Sequence, residues 1–142
     1  HKGGGQTCVE LFFFRAGQNF GNRTYFPIHA AELNEVEVLG PFLGQFYADK
    51  EPPRQVLVSH MPENSELVAA ALALRAGRRV VLARPSRGAK RKLVDHALAN
   101  AREAMARRLS ESAAQRRLLE GLAETFALDA EGTERLRAAR AP

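Results

Sequence analysis

The sequence predicts an α/β fold, a mixed sheet with helices packed on it. Three observations carry this expectation. Thr7 to Ile28 is β-branched and aromatic in two runs separated by a polar, glycine-containing stretch, which reads as a β-hairpin. Arg54 to Ala83 reads as strand, helix, strand with short links, a βαβ unit with parallel strands and a right-handed crossover. A long amphipathic stretch from Ala89 closes the chain and gives the order β-β-α-β-α-β-α.

In the first strand Thr7, Val9, Leu11 and Phe13 face one way and Cys8, Glu10, Phe12 and Phe14 the other. Consecutive phenylalanines load both faces, so part of the strand should be covered twice. Arg15 to Arg23 is expected to be the connecting loop, too long for a tight two-residue turn, and Pro27 ends the second arm or marks an edge. From Ala31 to Lys50, residues Val36, Leu39, Phe42, Leu43, Phe46 and Tyr47 fall at helical spacing. Asn34 is a usable start, and the stripe keeps phase across Pro41, predicting one helix kinked there. Arg54–Ser59 is a buried strand. The helix from about Ser65 to Ala76, with Leu67, Val68, Ala71 and Leu72 inward, stops at Gly77. Arg78–Ala83 is the next strand, and Arg84–Gly88 a basic turn. Leu93, Val94, Ala97, Leu98, Ala101, Ala104 and Met105 form one stripe of the last helix, and Leu118, Leu119, Leu122 and Phe126 a second, with Ser110–Ser112 a candidate interruption. The expected organisation is one domain over 1–128 and a frayed or disordered tail over 129–142. This order is RNase-H-like if one further strand precedes the hairpin, and the start at His1 without a Met reads as a piece of something longer.

With 142 residues and 45% hydrophobic content the chain can build a core. No apolar run reaches transmembrane length and no signal-peptide pattern is present, so a soluble, cytoplasmic protein without a membrane partner is expected. One cysteine, Cys8, excludes an internal disulfide framework and a Cys-rich metal site, and reads as a small core or edge residue. The net charge of +5 is asymmetric: residues 1–66 hold 5 Lys/Arg against 8 Asp/Glu, and residues 67–142 hold 16 against 8. Eight basic and no acidic residues lie between Leu67 and Val94. Such an excess suits a phosphate backbone, or is a solvated basic face.

Hydrolytic chemistry is not legible. Glu10 is the only acid on the first strand, the next two strands end in Ser59-His60 and Ala83-Arg84, and Glu35 and Glu37 diverge on their helix, so no carboxylate set for a divalent metal is seen. His29, His60 and His96 lack metal-site spacing; Ser59 and His60, adjacent in an extended segment, are not expected to bring their side chains together. Gly3-Gly4-Gly5 lacks the Lys-Ser/Thr of a phosphate loop and reads as a turn. No catalytic residue, metal, cofactor or small-molecule substrate is expected.

Two constellations remain. Arg15, Gln18, Asn19, Asn22 and Arg23 supply phosphate or base-edge donors with Phe20 available to stack, or else form a self-hydrogen-bonded loop. Arg84, Arg87, Lys90, Arg91 and Lys92 form a basic turn running into a helix N-terminus, an anion site or a plain solvated face. Positive charge there opposes the helix macrodipole, which favours the functional reading.

Val9–Pro27 (VELFFFRAGQNFGNRTYFP), Phe42–Arg54 (FLGQFYADKEPPR) and Ser86–Asp129, with its QRRLLEGLAE run, strongly resemble the UvrC excinuclease family of bacterial nucleotide excision repair. The likeness covers roughly residues 3–129 and places the chain in the middle of such a protein. It implies nuclease domains on either side, incision of damaged DNA by the whole, and DNA, UvrB and the other excinuclease subunits as partners. In that family an acidic-aromatic motif follows; here residues 130–142 read AEGTERLRAARAP instead. For this piece the expectation is a non-catalytic, RNase-H-like module that positions the nucleases and holds DNA backbone, or a scaffold that meets protein without touching DNA. Arg15, Arg23, Arg84, Arg87, Lys90 and Arg91 are the expected phosphate contacts, with Gln18 and Asn19 supporting.

Overall fold

The structure, a computed structural model, describes residues 1–28 and 32–140. His29 and the first residue of the expected 31–50 segment lie outside them. The described chain divides into two compact units, His1–Met105 and Ala106–Pro142.

In the first unit, strands β1 (Lys2–Gly3) and β2 (Gln6–Thr7) form a short antiparallel pair. Gly4 and Gly5 make the turn at φ 55° and 74°, as two-residue hairpins require. Strands β3 (Val9–Arg15) and β4 (Gln18–Tyr25) are antiparallel, from Val9 opposite Tyr25 to Arg15 opposite Gln18. The expected long loop is therefore wrong: Ala16 and Gly17, at φ 52° and 77°, make a two-residue turn, and Gln18 to Arg23 belong to a strand. The misreading has a physical source. Ala is a poor occupant of a left-handed position, so Ala-Gly does not advertise the turn as Asn-Gly would. The second glycine serves a bulge. Phe12 faces Asn22 and Phe14 faces Asn19, so Phe20 and Gly21 together oppose Phe13, with Gly21 at φ 122°.

Helix α1 (Glu35–Phe46) starts in a full capping box: Asn34 accepts from the Glu37 N–H while the Glu37 carboxylate accepts from the Asn34 N–H. The helix continues through Pro41, as its unbroken stripe requires. Strand β5 (Gln55–Leu57), helix α2 (Ser65–Ala76) and strand β6 (Val81–Ala83) form the expected parallel βαβ unit, and Gly77 caps α2 at φ 68°. The inward face of α2 is centred on Leu72, not Leu67, which is 70% exposed. Helix α3 (Gly88–Arg140) runs through both Ser110–Ser112 and the region expected to fray.

Among the described residues the strands pair only two by two, in three separate sheets, so the single mixed sheet predicted from the element order is not formed. The α/β class and the covering helices are as expected. Leu43, Val56, Val58, Leu72 and Val80 make one core, between α1, α2 and the parallel strands. Val9 and Val38 make another, under Tyr25, Leu33 and Phe42. Phe46 is the hub of an aromatic cluster, with ring centroids 6.3 Å from Phe13, 6.0 Å from Tyr25, 6.0 Å from Phe42 and 4.9 Å from Tyr47. On the opposite face of β3, Phe12 lies 5.1 Å from His96 of α3. The strand is thus covered on both faces, α1 on the Phe13 side and α3 on the Phe12 side. Cys8 is fully buried.

Candidate nucleic-acid interface

The hairpin tip presents Arg15, whose guanidinium lies 5.8 Å from the Phe20 ring centroid. Gln18 stands opposite Arg15, and β4 is exposed from Gln18 to Thr24. Two of the amides serve the hairpin itself. Asn19 Oδ1 accepts from the Gly21 N–H at 2.8 Å and holds the bulge. Asn22 Nδ2 and Thr24 Oγ1 each donate at 2.6 Å to the Glu10 carboxylate. Glu10 is therefore a strut across the β3–β4 ladder. Arg23 and Gln18 stay exposed on the same strand, and Arg15 and Arg23 have no carboxylate partner among the described residues.

The basic turn is built by the exit of β6. Arg84 follows Ala83, and α3 begins at Gly88, whose φ of 77° turns the chain into the helix. No acidic residue occupies the first turn of α3. Arg84, Arg87, Lys90 and Lys92 are exposed and make no ion pair among the described residues. Arg91 differs. Its Nε pairs with Asp95 Oδ1 at 3.0 Å and its Nη1 donates to the Pro85 carbonyl at 3.4 Å, so it straps the turn to the helix. Arg78, in the same basic stretch, is also engaged, by Glu51 at 2.8 Å and the Pro52 carbonyl. No hydrogen bond, ion pair or ring contact joins the hairpin group to the turn group among the described residues.

The sequence reading missed one neighbour. Ser59 Oγ lies 2.9 Å from His60 Nδ1, so these side chains do meet, contrary to expectation. They sit just beyond β5, at the same carboxyl end of the parallel pair as Arg84. Burial is the main cause holding the His60 imidazolium below its ordinary pKa, and Arg84 and Arg102 act the same way against the opposing pull of Glu35. Parallel pairing of β5 with β6 was the available signal, since it places the residues after both strands side by side. Among the described residues no cluster of three or more His, Cys, Asp or Glu could hold a metal, and no helix is long and apolar enough to cross a membrane.

The sequence matches a known class of domain. The family model of the UvrC ribonuclease H-like domain matches residues 1–108. The chain is 59% identical over 130 residues to UvrABC system protein C of Chelativorans sp. (strain BNC1), covering 92% of this chain and 20% of that protein. It is 60% identical over 129 residues to the protein of the same name from Rhodospirillum rubrum, covering 91% and 20%. With that of Paramagnetospirillum magneticum it shares 51% over 129 residues, covering 91% and 21%. The chain belongs to the UvrC family. It spans about a fifth of the length of the curated relatives it matches. No solved structure matches it.

Proposed function

We propose that this chain is the non-catalytic central module of a UvrC-type excinuclease, serving nucleotide excision repair by holding DNA backbone and positioning flanking nuclease domains beside a lesion. One observation carries the reading. Arg84, Arg87 and Lys90 crowd an exposed helix start that has no acidic residue in its first turn, while Arg78 and Arg91 nearby are neutralised by Glu51 and Asp95. Unpaired cations beside free helical N–H groups are complementary to a phosphate. Arg91 shapes the turn that presents them. Arg15 and Arg23, with Gln18 and Asn19, form a second cationic patch on the hairpin.

The test is fluorescence anisotropy of the chain with a short DNA duplex over a salt series. Affinity that falls steeply with salt supports the reading. No binding at low salt, from a sample shown to be folded by circular dichroism, overturns it. A second reading, contact with UvrB or with the nuclease domains of the same protein, is favoured for the second unit. There Leu118, Leu119, Leu122, Phe126 and Leu128 are all more than half exposed on α3. Binding to such a protein that resists a polyanion competitor would establish it.

A further inference from the structure

Glu10, Phe12 and Phe14 share one face of β3, and the pairing register sets Thr24, Asn22 and Asn19 of β4 beside them. The ring contact from α3 falls on Phe12, with the His96 centroid 5.1 Å away. Phe14, two residues on, stays 42% exposed, and its ring centroid lies 6.5 Å from that of Phe12. His96 is exposed as well, and Phe12 between them is half-buried. The three rings form a row that begins near the hairpin tip and ends on α3, with an open ring at each end. Arg15 and Arg23 are not part of it, since they follow Phe13 and Leu11 on the opposite face of the hairpin.

The charges around the row favour an anionic ligand that carries rings of its own. Lys92 stands one helical turn before His96, exposed and without an ion pair among the described residues. The carboxylates of Glu10 and Asp95, next to the row in sequence, are both engaged, the first by Asn22 and Thr24 and the second by Arg91. Along α3, Gly88 and His96 are about 12 Å apart at about 1.5 Å per residue, so the row starts a short step from the basic turn. A polynucleotide with phosphates at Arg84, Arg87 and Lys90 can therefore carry its next bases to the rings. Aromatic side chains stack on any base whose face is free, and open rings at alternate strand positions present such a platform. In a duplex those faces are already covered by neighbouring base pairs.

We propose that Phe14 and His96, set in one row by Phe12, stack the unpaired bases of single-stranded DNA whose phosphates are held by Lys92 and the basic turn. The inference rests on the DNA-holding reading above and deepens it. The cations accept any phosphate backbone, whereas the rings select a strand whose bases are free. Duplex affinity is thus set by the turn alone, and single-strand affinity by the turn and the row together.

The test compares three DNA probes on the 142-residue chain: a short oligothymidylate, an abasic strand with the same number of phosphates, and a duplex. Phe14→Ala should weaken binding of the oligothymidylate by about 5- to 150-fold and change that of the abasic strand and the duplex by less than about twofold. Phe14→Leu, which keeps apolar bulk without a ring, should behave like Phe14→Ala, with circular dichroism showing both folded. The chain has no tryptophan, so Phe14→Trp supplies a single reporter, whose emission should be quenched by the oligothymidylate and not by the abasic strand. Equal oligothymidylate affinity in the parental, Ala and Leu forms, or an unquenched Trp at saturation, overturns the platform and leaves the phosphate reading standing. A folded parental chain that binds none of the three probes overturns the DNA-holding reading and the platform with it.

Discussion

The three unpaired cations of the basic turn make a quantitative prediction. Each phosphate neutralised on duplex DNA contributes about 0.9 to the slope of log affinity against log salt. Replacing Arg84, Arg87 and Lys90 by Gln should therefore flatten the slope by about 2.7. Between 50 and 200 mM salt, where the concentration rises about fourfold, this corresponds to roughly 40-fold less salt-induced weakening. Arg91→Gln should behave differently, because Asp95 already neutralises that guanidinium at 3.0 Å. It should leave the slope nearly unchanged and instead cost about 0.3–0.5 kcal/mol through loss of a half-exposed i,i+4 pair. The assay is anisotropy with a fixed duplex at four or more salt concentrations, paired with urea melts of each variant. A triple variant with the parental slope would refute the argument. So would an Arg91→Gln slope change as large as that of Arg87→Gln, since the ion pair would then not distinguish the two arginines.

Other outcomes test the fold that presents these residues. Phe46→Ala should cost about 3–5 kcal/mol in a denaturant melt, because one buried ring joins the hairpin to α1 through Phe13 and Tyr25; a loss below about 1 kcal/mol would mean that the cluster does not couple them. Ala16→Asn should stabilise the protein by about 1 kcal/mol, since φ of 52° strains Ala and suits the Asn-Gly turn, whereas a destabilised variant would refute the left-handed assignment. Gly21→Val should destabilise by about 1–3 kcal/mol through backbone strain alone, because a Cβ there meets no atom within 4 Å. His60 has a folded pKa below its unfolded value, so the unfolded chain binds more protons as pH falls. Stability should accordingly decline as pH drops from about 6.5 toward the folded pKa, and His60→Gln should remove that part of the decline in melts taken across this range.

Much of this protein is legible from local chemistry. The capping box at Asn34 and Glu37 and the left-handed stop at Gly77 follow from interactions within a few residues, and the three phenylalanines that demand cover on both faces and the βαβ unit follow from the pattern and order of segments. The family, too, is carried by the order of side chains along the chain. Other features depend on partners distant in sequence. Gln18 to Arg23 look like a loop until Glu10, twelve residues before Asn22, ties them into a ladder and Gly21 absorbs a bulge. Arg87 and Arg91 look alike until the turn carbonyl of Pro85 and the carboxylate of Asp95 engage one and leave the other to solvent. Ser59 and His60 gain their setting only when β5 and β6 align and bring Arg84 to the same end. Composition and periodicity set which segments are strands and which faces are apolar. They do not set which strand edges find partners, because edge pairing is a property of neighbours in space; only the tertiary structure shows the strands, among the described residues, paired two by two.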